Sequence, residues 1–119
     1  MEKRELVIIG GDPTGMAAEV YARRAGLDVL VFETGNCGGQ ILITSEIENY
    51  TGHIHKSGPD LATSFREHAE HFGAEIRKNV VKENVNKDGG STEATRDGDS
   101  EEKDVIVATG AQFRRLGVP

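Results

Sequence analysis

The sequence predicts an α/β fold in three layers, with a central parallel sheet and a small antiparallel β-meander. Three observations carry this. A continuous apolar run, Leu6–Ile9, leads through a glycine-bearing turn into a helical pattern, Met16–Ala25. A second run, Val29–Phe32, follows within the roughly 30 residues of a strand–helix–strand unit. A third, within Asp104–Ala108, returns after a charged, turn-rich stretch. Unbroken β-branched runs mark strands buried on both faces of a parallel sheet, whereas alternation would mark one-sided strands. Together these make the Rossmann-like arrangement.

Each element follows from its residues. Pro13 suits a first helical turn, with Met16, Ala17, Val20 and Ala25 as the buried side and Gly26 as the stop. Val29–Phe32 ends at Glu33, and Gly35–Gln40 forms a glycine-rich turn. Residues 41–50 carry no clear period, and residues 51–58 read as a loop. Ser57-Gly58-Pro59-Asp60 opens a second helix through Phe72, with Leu61, Phe65, Ala69 and Phe72 at helical spacing. Gly73 ends it, and Ala74–Ile76 is a third strand. From Lys78 to Asp104, dense charge and turns at 88–90 and 97–98 predict a meander with marginal packing. Asp104–Ala108 is expected to be a fully buried strand. Thr109-Gly110-Ala111 turns after it, and Gln112–Pro119 adds no closing element.

Length and composition narrow the function. The 119 residues fit one domain, 1–119, with no repeat and no independent second domain. A hydrophobic share of 36% and an aromatic share of 5% make the core aliphatic and modest. A net charge of −6 argues against nucleic acid or an anionic membrane as partner. Met1–Glu5 runs straight into a strand without a signal-peptide core. Cys37 is the one cysteine, so neither an internal disulfide nor a C-x-x-C pair can form within the chain. A cytoplasmic, reducing setting is the expectation.

The chemistry centres on Gly10-Gly11-Asp12-Pro13-Thr14-Gly15. A turn between a strand and a helix aims backbone N–H groups and a helix N-terminus at a diphosphate. The G-x-G-x-x-G pattern places its first glycine for the tight turn, its second for close approach to pyrophosphate and its third for helix–strand packing. Gly10 and Gly15 fill the first and third positions, and Asp12 fills the second. Glu33, at the end of the next strand, is placed to accept from ribose hydroxyls. Asp12 opposes a diphosphate by bulk and by charge: two unit charges about 4 Å apart repel by about 1 kcal/mol in water and about 4 kcal/mol at an effective dielectric of about 20. The same residue, followed by proline, is a strong N-cap worth about 1 kcal/mol. The expectation is that the Asp12 carboxylate stands in for the phosphate and caps the helix itself.

The chain resembles the amino-terminal, FAD-binding part of a thioredoxin reductase-like flavoprotein of the pyridine nucleotide-disulfide oxidoreductase family. The matching stretches are V-I-I-G-G-D-P-T-G-M-A-A at 7–18, V-F-E at 31–33, G-G-Q at 38–40, T-S-E-I-E-N-Y-T-G at 44–52, S-G-P-D-L at 57–61 and V-A-T-G-A at 107–111. The resemblance implies that Gly10, Gly11 and Gly15 cradle the FAD diphosphate and that Glu33 holds the adenosine ribose. Gly39, Gln40 and Asn49 then lie toward the flavin and ribityl end, and Thr109, Gly110 and Ala111 pass beside the cofactor. Three departures stand out: Asp12 where the family has glycine, Thr51 where it has proline, and the absence of an NADPH domain and a second FAD half.

The remaining polar residues read more plainly. Cys37 has no base or resolving thiol near it in sequence and is taken as incidental. His53 and His55 fall in a loop, and His68 and His71 on a solvated helix face, so no metal site is expected. Asp97–Glu102 is expected to be a solvated loop and Arg114-Arg115 a polar tail. With no catalytic residue in view, the module binds a dinucleotide small molecule, FAD or ADP, weakly or not at all because of Asp12. Two alternatives stay open. One is a piece of an NADPH-dependent disulfide reductase that works only with further segments. The other is an engineered scaffold that folds without ligand. In the doubly wound order, Val105–Ala108 would also leave an open strand edge that invites self-association.

Overall fold

The computed structural model describes residues 2–33, 35, 38–78, 81–87, 90–95 and 98–110. Its elements in order are β1 (Glu2–Ile9), α1 (Pro13–Arg24), β2 (Val29–Glu33), a 3-10 turn (Gly39–Ile43), α2 (Gly58–His71), β3 (Glu75–Lys78), β4 (Val81–Lys87), β5 (Gly90–Thr95) and β6 (Gly98–Val107). The strands lie in one sheet in the order β3-β2-β1-β6-β5-β4. β3, β2, β1 and β6 run parallel, and β5 and β4 continue antiparallel.

The parallel register sorts the apolar residues by face. Leu6 lies beside Val29 and Ile8 beside Val31, while Val7 lies beside Leu30 and Ile9 beside Phe32. Leu6, Ile8, Val29 and Val31 pack with Met16, Val20 and Ala22 of α1 and Ala69 of α2. Val7, Leu30 and Phe32 form a second cluster on the opposite face. Val7 and Leu30 are fully buried, so both faces are covered, as the unbroken apolar runs require. Each such Val or Leu contributes about 1.5–3 kcal/mol by leaving water. The two crossovers β1-α1-β2 and β2-α2-β3 step the same way along the sheet, which places both helices on one face.

Both helices are bounded by local chemistry. Asp12 caps α1 and Ser57 caps α2, each accepting from the N–H three residues on, at 3.0 Å and 3.2 Å. Each helix closes with the same pair of bonds. Gly26 N–H donates to Arg23 O and Leu27 N–H to Ala22 O, while Gly73 N–H donates to Glu70 O and Ala74 N–H to Ala69 O. Among the described residues, no helix is long and apolar enough to cross a membrane.

Several expectations need correction. β1 starts at Glu2, not Leu6, because its polar beginning pairs with β6 from Glu2↔Ser100 onward. The third strand is Glu75–Lys78, not Ala74–Ile76. Residues 98–102, expected as part of a solvated acidic loop, belong to β6. Their register sets Glu101 and Glu102 opposite Lys3 and Arg4 of β1, so the acids extend a strand there. Asp104–Ala108 is not fully buried: Ile106 is 37% and Val107 68% exposed. Pairing with β5 stops at Glu102, so the rest of β6 has a strand on its β1 side alone among the described residues. Within residues 41–50, the 3-10 turn and an isolated bridge, Ile47↔Lys56, supply structure that no periodicity announced. Of the expected turn residues, 88, 89 and 97 lie outside the described residues, as does the tail 112–119.

A charged network ties the amino-terminal ends of the strands. Arg4 of β1 pairs with Asp28, before β2, and with Glu75 of β3; Arg77 also reaches Glu75, at 2.9 Å. These cations hold the Glu75 carboxyl below its usual range, Arg4 foremost by its hydrogen bond. Arg23 of α1 donates to Val29 O at 2.8 Å and lies 3.4 Å from Glu19 Oε1. Glu19 is fully buried, and neither of its oxygens has a hydrogen-bond partner. Burial pushes its carboxyl above the usual range, with Arg23 opposing.

A carboxyl raised on folding stabilises most below its unfolded range, and that term is lost as pH rises through its folded value. Glu19→Leu is therefore expected to raise stability by about 1–3 kcal/mol near neutral pH. The gap between variant and wild type should narrow toward about pH 4. Urea unfolding of both proteins at the two pH values checks this; a gap that stays constant contradicts it.

Candidate functional site

From β1 the chain steps through β2 to β3 on one side, then crosses back to place β6 on the other. The order therefore reverses between β1 and β6. In an open α/β sheet the crevice beyond the carboxyl ends of strands at such a reversal is where ligands bind. A cavity of about 240 Å³ lies there, lined by Asp12, Pro13, Glu33, Gly38, Gly39, Gln40, Ile41, Thr109 and Gly110. The segments after β1, β2 and β6 thus converge with the 3-10 turn on one pocket.

Backbone contact is close at this point. Gly10 has φ +117°, and a Cβ there would stand 2.0 Å from Ala108 O. A Cβ on Gly15 would stand 1.9 Å from Gly10 O. Ala108 N–H donates to Ile9 O at 2.8 Å, fastening β6 to β1 where the turn begins. The first and third glycines of the fingerprint are thus demanded by the protein's own backbone. The second position answers to the ligand, and it holds Asp12.

Asp12 does what its position predicts of an N-cap. Its backbone is extended, Oδ1 accepts from Gly15 N–H at 3.0 Å, and its carbonyl accepts from Met16 N–H at 2.9 Å. Two glycines leave room for the side chain: an added Cβ on Gly39 would lie 2.9 Å from Asp12 Cβ, and one on Gly110 3.0 Å from Oδ2. Glu33 turns back into the same turn, its Oε2 accepting from Gly11 N–H and its Oε1 from Gly35 N–H at 3.1 Å. Gly38 N–H donates to Gly11 O at 2.9 Å, which fixes the Gly38–Gln40 segment against the turn.

Of the expected residues, Asp12, Pro13, Glu33, Gly39, Gln40, Thr109 and Gly110 line the cavity. Gly10, Gly11 and Gly15 shape the turn behind it. Thr14 is exposed and Asn49 is exposed in the 44–57 segment; neither lines the cavity. Ala111, Cys37 and Arg114-Arg115 lie outside the described residues. Gly38 and Ile41 line the cavity without having been named as site residues, although Gly38 opens the G-G-Q stretch at 38–40.

The histidines distribute as surface groups. His68 and His71 both pack against the Phe72 ring. His55 Nε2 lies 3.6 Å from Glu46 Oε1, and with Glu48 these exposed groups gather where the Ile47↔Lys56 bridge folds the loop back. The sequence spacing hid that trio, because the bridge is non-local.

Comparison with known proteins agrees with this geometry. Residues 4–119 match the family model described as pyridine nucleotide-disulphide oxidoreductase. The thioredoxin reductase of Bacillus subtilis (strain 168) is 41% identical over 117 residues, which is 97% of this chain and 36% of that protein. The crystal structure of the thioredoxin reductase from Streptococcus pyogenes superposes with a TM-score of 0.92 at 43% identity, covering 98% of this chain and 38% of that one. The Lactococcus lactis thioredoxin reductase gives 0.93 at 36% identity, again over 98% and 38%. The chain thus spans little more than a third of these relatives. The match runs from β1 through the acid-capped turn and Glu33 to the end of β6, and on it the chain belongs to the pyridine nucleotide-disulphide oxidoreductase family.

Proposed function

We propose that residues 1–119 are the amino-terminal, FAD-type Rossmann module of a thioredoxin reductase-like flavoprotein, and that this module binds FAD or ADP weakly or not at all because Asp12 occupies the diphosphate position. One observation carries the reading: at the sheet's reversal point, Asp12 Oδ1 accepts the Gly15 N–H bond that a phosphate oxygen would otherwise take. The ribose end of the site fits a nucleotide, since Glu33 stands at the carboxyl end of β2 on the cavity wall. The diphosphate end does not fit, since the turn supplies its own anion. A phosphate group there would lose the Gly15 donor and face a carboxylate.

The reductase activity named for the relatives needs a redox thiol pair and a nicotinamide site. With Cys37 its one cysteine, the chain cannot form that pair from its own residues. In this reading such groups come from outside these 119 residues, in line with the 36% of the Bacillus relative that the chain spans. The module contributes binding rather than catalysis, and its setting is the cytoplasm.

The second half of β6 gives the module a further property. Asp104–Val107 pairs with β1 and, among the described residues, with nothing on its other side. Val107 and Ile106 are exposed on that stretch. An open apolar edge of this kind associates with another copy by strand pairing.

Two measurements test the proposal. In a flavin fluorescence titration, Asp12→Gly is expected to bind FAD at least about tenfold more tightly than the wild type; equal affinity overturns the role given to Asp12. In sedimentation velocity, the wild type is expected to associate with rising concentration and Val107→Lys to suppress it. A wild type that stays monomeric at every concentration removes the edge from the account.

A further inference from the structure

We infer that the pocket prefers an uncharged nucleoside, a ligand with a vicinal diol and no phosphate, over the corresponding nucleotide. This rests on the nucleotide-module reading and names the ligand class that module takes. An inventory of donors in the turn leads to it. Gly10 N–H is spent on Phe32 O at 2.8 Å, Gly11 N–H on Glu33, Gly15 N–H on Asp12 Oδ1 at 3.0 Å and Met16 N–H on Asp12 O at 2.9 Å. Pro13 has no N–H. Within this turn, the N–H groups of Asp12 and Thr14 are the two left without an acceptor among the described residues. A diphosphate needs several such donors at once.

The charge of the pocket points the same way. Its described lining includes two carboxylates, Asp12 and Glu33, and no Lys, Arg or His. An incoming phosphate would meet like charge with no cation in the described lining, while a hydroxyl would meet acceptors. An ionised carboxylate offers about four lone-pair sites. Glu33 uses two of them on Gly11 and Gly35 N–H, which leaves one on each oxygen for a pair of neighbouring hydroxyls. Asp12 spends Oδ1 on Gly15 and turns Oδ2 toward Gly110. The cavity, at about 240 Å³, is also below the 300–1,000 Å³ usual for drug-sized ligands, so it favours the smaller nucleoside on size.

Calorimetric titration of the full chain with adenosine, 2′-deoxyadenosine and ADP decides the matter, using the wild type, Asp12→Asn and Asp12→Gly. The amide of Asp12→Asn keeps the size and an oxygen for the Gly15 N–H while removing the charge. The wild type is expected to bind adenosine more tightly than ADP. Asp12→Asn should tighten ADP about tenfold and change adenosine by less than about threefold, reversing the order. Loss of one ribose hydroxyl, in 2′-deoxyadenosine, should weaken wild-type binding about tenfold. Wild-type preference for ADP, an unchanged ADP-to-adenosine ratio in Asp12→Asn, equal affinity for 2′-deoxyadenosine, or no adenosine binding by the wild type each overturns the inference. If ADP nonetheless binds Asp12→Gly, the module reading survives that failure. If none of the three folded proteins, verified by circular dichroism, binds any ligand, both fall together.

Discussion

The backbone meeting at the carboxyl ends of β1 and β6 is the constraint on which the rest of the structure depends. Ile9 O accepts from Ala108 N–H, and the chain then turns so tightly that Gly10 and Gly15 can carry no side chain. That turn launches α1 over the sheet, sets β1 between β2 and β6, and opens the crevice where three loops converge. Two fingerprint glycines are therefore explained without any ligand. A glycine pattern read as a phosphate signature is in part a packing signature, and only its middle position reports on the ligand.

The two ends of the parallel sheet are treated differently. At the amino-terminal end, Arg4, Asp28, Glu75 and Arg77 compensate one another and tie β1 to the starts of β2 and β3. At the carboxyl end, acids meet backbone N–H groups instead of cations: Asp12 on Gly15, and Glu33 on Gly11 and Gly35. In the proposed function, the interaction that stabilises the helix is also the one that opposes an anion. A cap worth about 1 kcal/mol is present whether or not a ligand arrives.

Much of this was legible in the sequence, for physical reasons. β1, β2 and both helices announce themselves because burial on two faces demands unbroken apolar runs and because Asp12-Pro13 and Ser57-Gly58-Pro59 are strong local starts. The pocket residues after β1, β2 and β6 were legible because a turn joining strand to helix has one place in such a sheet. What was hidden is non-local. The acidic run through Glu102 reads as a loop until its register against Lys3 and Arg4 is known. Val107 reads as buried until it is clear that β5 leaves the strand at Glu102. Glu19 sits among apolar positions on α1, and its burial beside Arg23 is invisible to composition. Asn49, chosen by resemblance alone, lies in a segment that does not reach the cavity.

β6 belongs to two neighbourhoods at once, pairing with β5 through its first half and with β1 along nearly all of its length. Its hairpin partner is a few residues away in sequence, whereas Ile9 and Val107 are joined across roughly a hundred residues of intervening chain. Contacts of such long range form slowly, because the entropy of closing the loop must be met before the ladder offers any return. Along the chain, β1 therefore keeps one edge unpaired until β6, nearly a hundred residues later, has been made. The β4–β5–β6 ladders close over short loops, whereas the β1–β6 ladder, which ends at the crevice, closes over nearly all the chain between them.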